Sequence, residues 1–270
     1  SFPTRRSSDL LYLLIIMATV IEPSFVTLLG FLLLFSWMGL TGVVRAEFLP
    51  SPLKLAGAFG EMLQQGYGGS PLAKHVGMSV MRAVSGFLAA VLLGVPVGIY
   101  LGRNEVANAV AAPIIGFLRP IPPIAFVTLF VFYFGIGEAS KIGLIFMAAF
   151  WYVVLNCADG VRAVPHTLIR AGQSMGLSPR QLFFKVTIPA AMPAIMTALR
   201  AASSISWTLV VASELLGAQA GLGFIILDSA QYFNIPATFI GIVLIGAIGL
   251  VWELGLTTLQ RRVLHWQGKG

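Results

Sequence analysis

The pentapeptide Gly172-Gln173-Ser174-Met175-Gly176 has the spacing of a nucleophile elbow, the G-x-S-x-G turn that presents the reactive serine of many hydrolases. Such a turn needs a preceding strand, a following helix, and histidine and carboxylate partners close to the serine. The flanking sequence predicts none of this context, and His166 lies on a polar loop between two apolar runs. We therefore do not expect Ser174 to act as a nucleophile, and no catalytic residue is predicted.

Other catalytic patterns do not occur in the sequence. No G-x-x-x-x-G-K-[ST] phosphate loop is present, so ATP and magnesium are not expected on this chain. His75, His166 and His265 are too scattered for a metal set such as H-E-x-x-H, and a single cysteine excludes a Cys-x-x-Cys zinc site. No cofactor or metal is predicted on this chain.

Two ionisable residues in or beside predicted membrane spans stand out, Arg119 and Glu214, because a charge in a span is costly and often functional. Arg119 precedes Pro120, Pro122 and Pro123, and the backbone amides freed there could join its guanidinium in an electropositive path for an anion. Alternatively, Arg119 reaches the membrane interface or pairs with a carboxylate such as Glu214. We interpret Glu214 as structural, closing a packing network or a gate.

The same predicted span as Glu214 carries several hydroxyl side chains and a tryptophan: Ser203, Ser204, Ser206, Trp207, Thr208 and Ser213. Small hydroxyl residues in spans often serve helix packing, and pore lining is the alternative. Our hypothetical translocation path consists of Arg119, Pro120, Pro122, Ser206, Trp207 and Glu214.

Composition places the chain in a membrane. Of its 270 residues, 57% are hydrophobic and only 10% charged, against about 25% charged in an average soluble domain. The apolar runs of about 20 residues fit helical spans, so we predict an all-α integral membrane fold. The net charge of +7 lies mostly in loops and termini, which indicates membrane topology and not nucleic-acid binding.

Six membrane spans are predicted, at residues 25–44, 76–101, 108–134, 142–156, 194–216 and 236–259. We expect the third to break at Arg119–Pro123, and the connection over 45–75 to form turns and extended chain because of its prolines. A glycine-rich loop, GAQAGLG, follows the fifth span. Residues 1–24 are interpreted as interfacial, signal-like or non-native, residues 25–266 as the membrane domain, and 267–270 as a tail.

The polar segment 160–189 is predicted to lie in the cytoplasm, which with six spans places both termini there too. That side then collects more basic residues than the other, namely Arg103, Arg162, Arg170, Arg180, Lys185, Arg261, Arg262 and Lys269. The opposite side holds Arg45, Lys54, Lys74 and Lys141, with Arg82 near it. This imbalance follows the positive-inside tendency.

Two short helices are predicted within this segment. Thr167 could cap a helix through Met175 that Gly176 ends in a left-handed conformation. Ser178-Pro179 is a favourable helix start, and we expect the second helix to stop at Pro189. The pair would form a rigid knob, although an ordinary amphipathic surface loop is the alternative.

Five residues of the segment, Ala171, Gly176, Val186, Ile188 and Pro189, follow the spacing Ala-x4-Gly-x9-Val-x-Ile-Pro. This resembles the EAA-x3-G-x9-I-x-L-P signature of the membrane subunits of ATP-binding-cassette (ABC) importers. Stretches at 117–126, 134–142, 158–165 and 206–223 also look like the nitrate, sulfonate, taurine and bicarbonate branch of these permeases. The resemblance covers roughly residues 25–266.

The resemblance implies the six-span fold of type I importers (MetI-like), with residues 160–189 as cytoplasmic coupling helices that fit a cleft on an ATPase. The matching positions are Arg170, Ala171, Gly172, Gly176, Leu177, Gln181, Val186 and Pro189. Implied partners are two ATPase subunits, which would bind ATP and magnesium, an extracytoplasmic binding protein, and a second permease chain, all at a bacterial inner membrane. Arg170 stands where the family has Glu, so any family salt bridge there is not carried over, and we expect an acidic or neutral partner group.

The resemblance thus implies a translocation subunit that imports a small anionic solute by alternating access. Relatives that move thiamine precursors or other heterocycles look much alike, so the substrate stays open. A self-contained secondary transporter is a further alternative, but it would show inverted repeats and a denser set of intramembrane acids.

Overall fold

The computed structural model describes residues 30, 37, 49–118, 120–215 and 217–266. The segment 1–24, nearly all of the predicted first span 25–44, Arg119 and the tail 267–270 lie outside the described residues. Within the described ranges the chain is helical, and its only β pairing is an isolated bridge between Tyr67 and Ser70. The prediction of an all-α fold is confirmed.

Ten α-helices are present in the described ranges: α1 Pro52–Gln65, α2 Leu72–Arg103, α3 Glu105–Leu118, α4 Val127–Phe134, α5 Glu138–Arg162, α6 His166–Ser174, α7 Pro179–Leu182, α8 Ile188–Glu214, α9 Leu222–Gln231 and α10 Ile235–Val263. A 3-10 turn, Pro123–Phe126, precedes α4, and a π-helical turn, Phe183–Thr187, joins α7 to α8. Four helical stretches are long and apolar enough to cross a membrane, namely α2, α5, Pro179–Glu214 and α10.

The predicted third span is broken, as expected. Helix α3 ends at Leu118, and the chain resumes as helix from Pro123, with the two parts bent by 84°. Proline has no backbone N–H and disfavours helix in the residue before it, so consecutive prolines interrupt the hydrogen-bond ladder. Counted as one span, this pair gives five spans in the described ranges, and the predicted span 25–44 stays a prediction.

The connection over 45–75 contains helix α1, so the expectation of turns and extended chain there was wrong. Pro52 is the first residue of α1, and the Ser51 side chain accepts a hydrogen bond from the Lys54 amide at 3.4 Å. A proline at this position costs no hydrogen bond, because the first amides of a helix have no partner within it. The short helix α9, between the glycine-rich loop and α10, was not predicted either.

The core lies where α2, α5 and α8 pack together, around small residues such as Ala90, Ala149 and Ala202. A Cβ added at Gly86 would lie 2.6 Å from Ile145 Cγ2, and one added at Gly98 would lie 2.6 Å from the Val154 carbonyl oxygen. Glycine at these positions therefore lets the helix backbones approach closely, which supplies packing energy where lipid offers no hydrophobic driving force.

Candidate functional site

Residues 160–189, hereafter called the coupling loop after the role that the sequence predicts for them, contain two short helices joined by a left-handed glycine. Gly176 has a φ of +74°, as predicted from its position after α6. Ser178 caps α7, because its Oγ accepts from the Gln181 amide at 3.4 Å while Gln181 Oε1 accepts from the Ser178 amide at 3.0 Å. The predicted helix start at Ser178-Pro179 is confirmed.

Two expectations about the coupling loop were wrong. Helix α6 begins at His166 with Pro165 at its N-cap, so Thr167 does not cap it. Pro189 does not stop the second helix, because the π-helical turn carries the chain into α8, where Pro189 falls in the first turn. A proline in the first turn costs no hydrogen bond, because the backbone N–H that it lacks would have no partner within the helix. The chain is consequently helical from Pro179 to Glu214, and the second short helix is continuous with a span.

The eight predicted coupling residues divide between the interior and the surface of the loop. A Cβ on the buried Gly172 would lie 2.6 Å from Leu182 Cδ1 and 3.4 Å from both Leu177 Cδ1 and Val186 Cγ2, so these groups pack the two helices together. The exposed residues of the eight are Arg170, Ala171, Gly176 and Gln181, and Pro189 is half-buried.

The surface of the coupling loop is basic. Arg170, Arg180 and Lys185 are exposed, and none of them forms an ion pair with another described residue. Ser174 is also exposed, and it lies on helical sequence without a preceding strand in the described chain, so the elbow geometry is not formed. The loop thus presents exposed basic side chains, and the geometry of a hydrolase site is not formed in its described residues.

Arg103 attaches the coupling loop to a second span. It is the last residue of α2, and its guanidinium carbon lies 4.6 Å from the ring centroid of Phe183 in the π-helical turn. This cation–π contact joins the ends of α2 and α8 on the side of the coupling loop.

At the opposite end of the bundle, Arg82 is the centre of a charge cluster formed by the buried residues Ser79, Arg82, Lys141 and Glu214 and the partly exposed Glu138. The Arg82 guanidinium donates from Nη1 to Glu214 Oε1 at 2.8 Å, and from Nε and Nη2 to the two oxygens of Glu138 at 2.6 and 2.7 Å. The Arg82 side chain is only 1% exposed and that of Glu214 is 0% exposed. The charge cluster therefore joins α2, α5 and α8.

Glu214 is satisfied on both carboxylate oxygens. Ser79 Oγ donates to Oε1 at 2.7 Å, and the Gly223 amide donates to Oε2 at 2.6 Å. A Cβ added at Gly221, which has a φ of +146°, would overlap the Glu214 carboxylate. The glycine-rich loop thus lies directly on Glu214, and glycine is required at residue 221 for both space and backbone conformation.

Polar contacts continue from the charge cluster through His75. Its Nδ1 lies 3.2 Å from the Gly221 carbonyl and 3.1 Å from the Gly221 amide, and its Nε2 lies 3.0 Å from the Tyr67 carbonyl. The Tyr67 hydroxyl donates to Asp228 at 2.8 Å. Burial and this carboxylate raise the pKa of Tyr67 well above its usual range.

The hypothetical path residues are not gathered at one place. Pro120 and Pro122 are exposed at the bend after α3, Glu214 belongs to the charge cluster, and Arg119 lies outside the described residues. The Ser206 hydroxyl is buried and donates to the Ala202 carbonyl at 2.9 Å. Trp207, 8% exposed, packs in the core with residues of α2 and α5.

The exposed hydroxyls of α8 lie on a different face from Ser206. Thr197, Ser204 and Thr208 recur at helical spacing and are exposed, whereas the exposed face of α10 is apolar, with Ile242, Leu250 and Leu254. Beside the hydroxyl face, a cavity of about 420 Å³ lies between the bend, α5 and α8. The described residues contain no group of three or more histidine, cysteine or acidic side chains suited to a metal.

Sequence reasoning missed several charged residues of the helix bundle, namely the buried Arg82 and the partly exposed Arg200 and Glu253. Arg82 lies inside the predicted span 76–101 and received no role, although a charge in a span is a functional candidate by default. Arg200 and Glu253 were missed in the same way, and Arg200 Nε donates to Glu253 Oε1 at 2.8 Å between α8 and α10. A search of every predicted span for ionisable residues would have found all three.

Several known proteins resemble this chain. The taurine transport system permease protein TauC of Escherichia coli is 38% identical over 84% of this chain and 83% of its own length. The bicarbonate transport system permease protein CmpB of Synechococcus elongatus is 32% identical over 88% of this chain and 87% of its own length. The aliphatic sulfonates transport permease protein SsuC of Bacillus subtilis is 33% identical over 85% of this chain and 82% of its own length.

The fold has also been seen in a solved structure. A structure described as an inward-facing conformation of the MetNI methionine ABC transporter matches with a TM-score of 0.61 at 22% identity, over 71% of this chain and 95% of that one. Residues 94–265 match the family described as "Binding-protein-dependent transport system inner membrane component". The chain therefore belongs to this family of ABC transporter permeases, within the branch that includes the taurine, sulfonate and bicarbonate permeases.

Proposed function

We propose that the chain is the translocation subunit of an ATP-driven importer. It moves a small anionic solute, of the sulfonate, taurine, nitrate or bicarbonate class, from an extracytoplasmic binding protein to the cytosol by alternating access. The observation that carries this proposal is the exposed basic coupling loop, whose second helix continues without interruption into α8. The names of the taurine and bicarbonate relatives support the solute class.

The continuity of α8 with the coupling loop supplies a mechanical link. The helical stretch Pro179–Glu214 has 36 residues, which at about 1.5 Å per residue is long enough to cross the bilayer and extend beyond it. An ATPase that displaces α7 would move α8 with it, and Arg103 would carry part of that displacement to α2. The charge cluster holds the far ends of the same helices, so a displacement at one end is opposed at the other.

The remaining parts of the proposal follow from the family. Two ATPase subunits bind ATP and magnesium and contact Arg170, Ala171, Gly176 and Gln181, while two copies of this chain form the pore with their termini in the cytoplasm of a bacterial cell. We assign the solute path to the bend at Arg119–Pro122 and the hydroxyl face of α8. The face of α8 that packs in the core then holds this helix in position through Ser206, Trp207 and Glu214.

Copurification with an ATPase subunit tests this function. The chain would be coexpressed with the ATPase encoded beside its gene, purified in detergent, and assayed for bound ATPase and for ATP hydrolysis. We expect the double variant Arg180→Glu, Lys185→Glu to lose the ATPase, whereas Lys54→Glu, Lys74→Glu, the same charge change at exposed residues of α1 and α2, retains it. Solute uptake driven by an ion gradient, without any ATPase, would contradict the proposal and favour a secondary transporter.

A further inference from the structure

The cavity beside α5 has the size of an organic-ligand site. Its volume of about 420 Å³ lies within the roughly 300–1,000 Å³ usual for small-molecule pockets. It lies between the bend after α3 and the half of α5 near the coupling loop, and Ile205 of α8 contributes to its wall. A second cavity, of about 450 Å³, shares Tyr152, Asn156 and Asp159 with it and extends to Thr197 on the hydroxyl face of α8.

Most of the wall is apolar. Ile115, Met147 and Ile205 supply aliphatic surface, and Phe126 and Trp151 supply aromatic rings. A small inorganic oxyanion has no apolar part to place against this surface, so it would lose hydration here without gaining apolar contact, which is unfavourable. A hydrocarbon or aromatic group of an organic solute would instead gain contact area with this surface.

The polar groups of the wall lie together at the end near the coupling loop, and most of them accept hydrogen bonds. Asn156 donates its Nδ2 to the Tyr152 carbonyl at 2.8 Å, which leaves its side-chain oxygen available as an acceptor. Asp159 is the one acidic residue of the wall, and no lysine or arginine is among the wall residues that the structure describes. Arg162 Nη2 lies 3.4 Å from Asp159 Oδ1, but the Asp159 side chain is still 72% exposed.

We propose that this cavity receives the protonated amine and the hydrocarbon part of an organic cargo, in preference to inorganic oxyanions such as nitrate and bicarbonate. The amine donates to Asp159 and Asn156 and lies against the ring faces of Trp151 and Tyr152, which attract a cation. The proposal rests on the proposed function, because it states which members of the solute class the translocation path accepts.

Equilibrium binding to the purified 270-residue chain in lipid nanodiscs tests this inference without an ATPase or a binding protein. Intrinsic tryptophan fluorescence would be titrated with taurine, ethanesulfonate, nitrate and bicarbonate, and a Trp151→Phe variant assigns the signal to the cavity. Taurine and ethanesulfonate differ in the amine alone. We expect taurine to bind about tenfold more tightly than ethanesulfonate, since a charge-assisted hydrogen bond is gained, and the two inorganic anions to give no response.

Three variants separate the amine contact from indirect effects. Asp159→Asn should abolish the preference for taurine over ethanesulfonate, and Glu61→Gln, the same change at an exposed carboxylate of α1, should keep it. Arg162→Gln removes the ion-pair partner of Asp159 but leaves the carboxylate, so the preference should be kept or increased. If Arg162→Gln lost the preference as Asp159→Asn does, the amine contact would be refuted.

Equal affinities for taurine and ethanesulfonate, or competition by nitrate, would also overturn the inference. Such a result would leave the copurification of an ATPase unchanged, so the proposed function would stand. Conversely, an amine preference in a chain that recruits no ATPase would overturn the importer mechanism and keep the cavity assignment.

Discussion

The two ends of the helix bundle treat charged side chains in opposite ways. In the charge cluster, Arg82 and Glu214 are almost completely buried, and each of them makes several hydrogen bonds within the chain. On the coupling loop, Arg170 and Arg180 are exposed and form no ion pair with a described residue. Buried charges require partners within the fold, whereas exposed charges are available for another molecule. The first end thus serves the stability of this chain, and the second is available for association.

A single helical stretch connects these two ends. It begins at Pro179 on the coupling loop and ends at Glu214 in the charge cluster. If the two ends have these different roles, changes at Glu214 and its partners should lower the free energy of unfolding. Changes at the coupling loop should lower the coupling to ATP hydrolysis and leave the free energy of unfolding constant.

The largest effect is expected from Arg82→Met, which leaves the carboxylate of Glu214 buried without its counter-charge. Breaking a buried ion pair from one side typically costs about 3–5 kcal/mol of stability. Thermal or denaturant-induced unfolding in detergent would measure the change. Arg180→Met, the same substitution on the coupling loop, is the control and should leave unfolding unchanged.

The double variant Arg82→Met, Glu214→Gln sharpens this result. With both buried charges removed, part of the lost stability should return, since no uncompensated charge is left in the interior. If the double variant lost as much free energy of unfolding as the two single variants together, the pair itself would contribute little. The stabilising role of the charge cluster would then be refuted.

A smaller effect is expected from Gly221→Ala. The added methyl group overlaps the Glu214 carboxylate, and the residue has a φ of +146°, so we expect a loss of about 1–3 kcal/mol from overpacking and backbone strain. Gly246→Ala in α10 is the matched control, because a Cβ there meets nothing within 4 Å. Alanine is the better helix former, so the control should unfold at the same denaturant concentration or a slightly higher one.

The smallest effect on stability, and the clearest on coupling, is expected from Arg170→Glu. The side chain is exposed, so unfolding should not change. If the ATPase offers an acidic or neutral group to Arg170, the reversed charge should lower transport-coupled ATP hydrolysis by roughly tenfold, which equals about 1.4 kcal/mol of interaction. Full coupling in the variant would show that the family's glutamate works equally well here and would refute this pairing.

Local sequence rules were sufficient where the structure depends on neighbouring residues. The break at Pro120–Pro123, the cap at Ser178 and the left-handed Gly176 each depend on the backbone chemistry of one or two residues. The same rules failed where a proline can either end a helix or occupy its first turn. Pro52 and Pro189 were interpreted as breaking or ending a helix, but each occupies a first helical turn, where proline is favourable.

The partners of the buried charges depend on contacts between residues far apart in the chain. Arg82 and Glu214 are separated by 132 residues, and no periodicity in the sequence indicates that they meet. The same holds for the hydroxyl residues of α8, since their identity does not reveal that Ser206 faces the core while Ser204 and Thr208 are exposed.

The sequence by itself therefore determined the membrane character, the helical class and the family, because hydropathy and motif spacing are read along the chain. Only the tertiary structure decided which charges are buried together, that the coupling loop continues into α8, and which polar groups line the cavity beside α5. These features depend on how α2, α5 and α8 pack against one another. Such packing is set by the close approach of small residues on all three helices and is not encoded in any one segment.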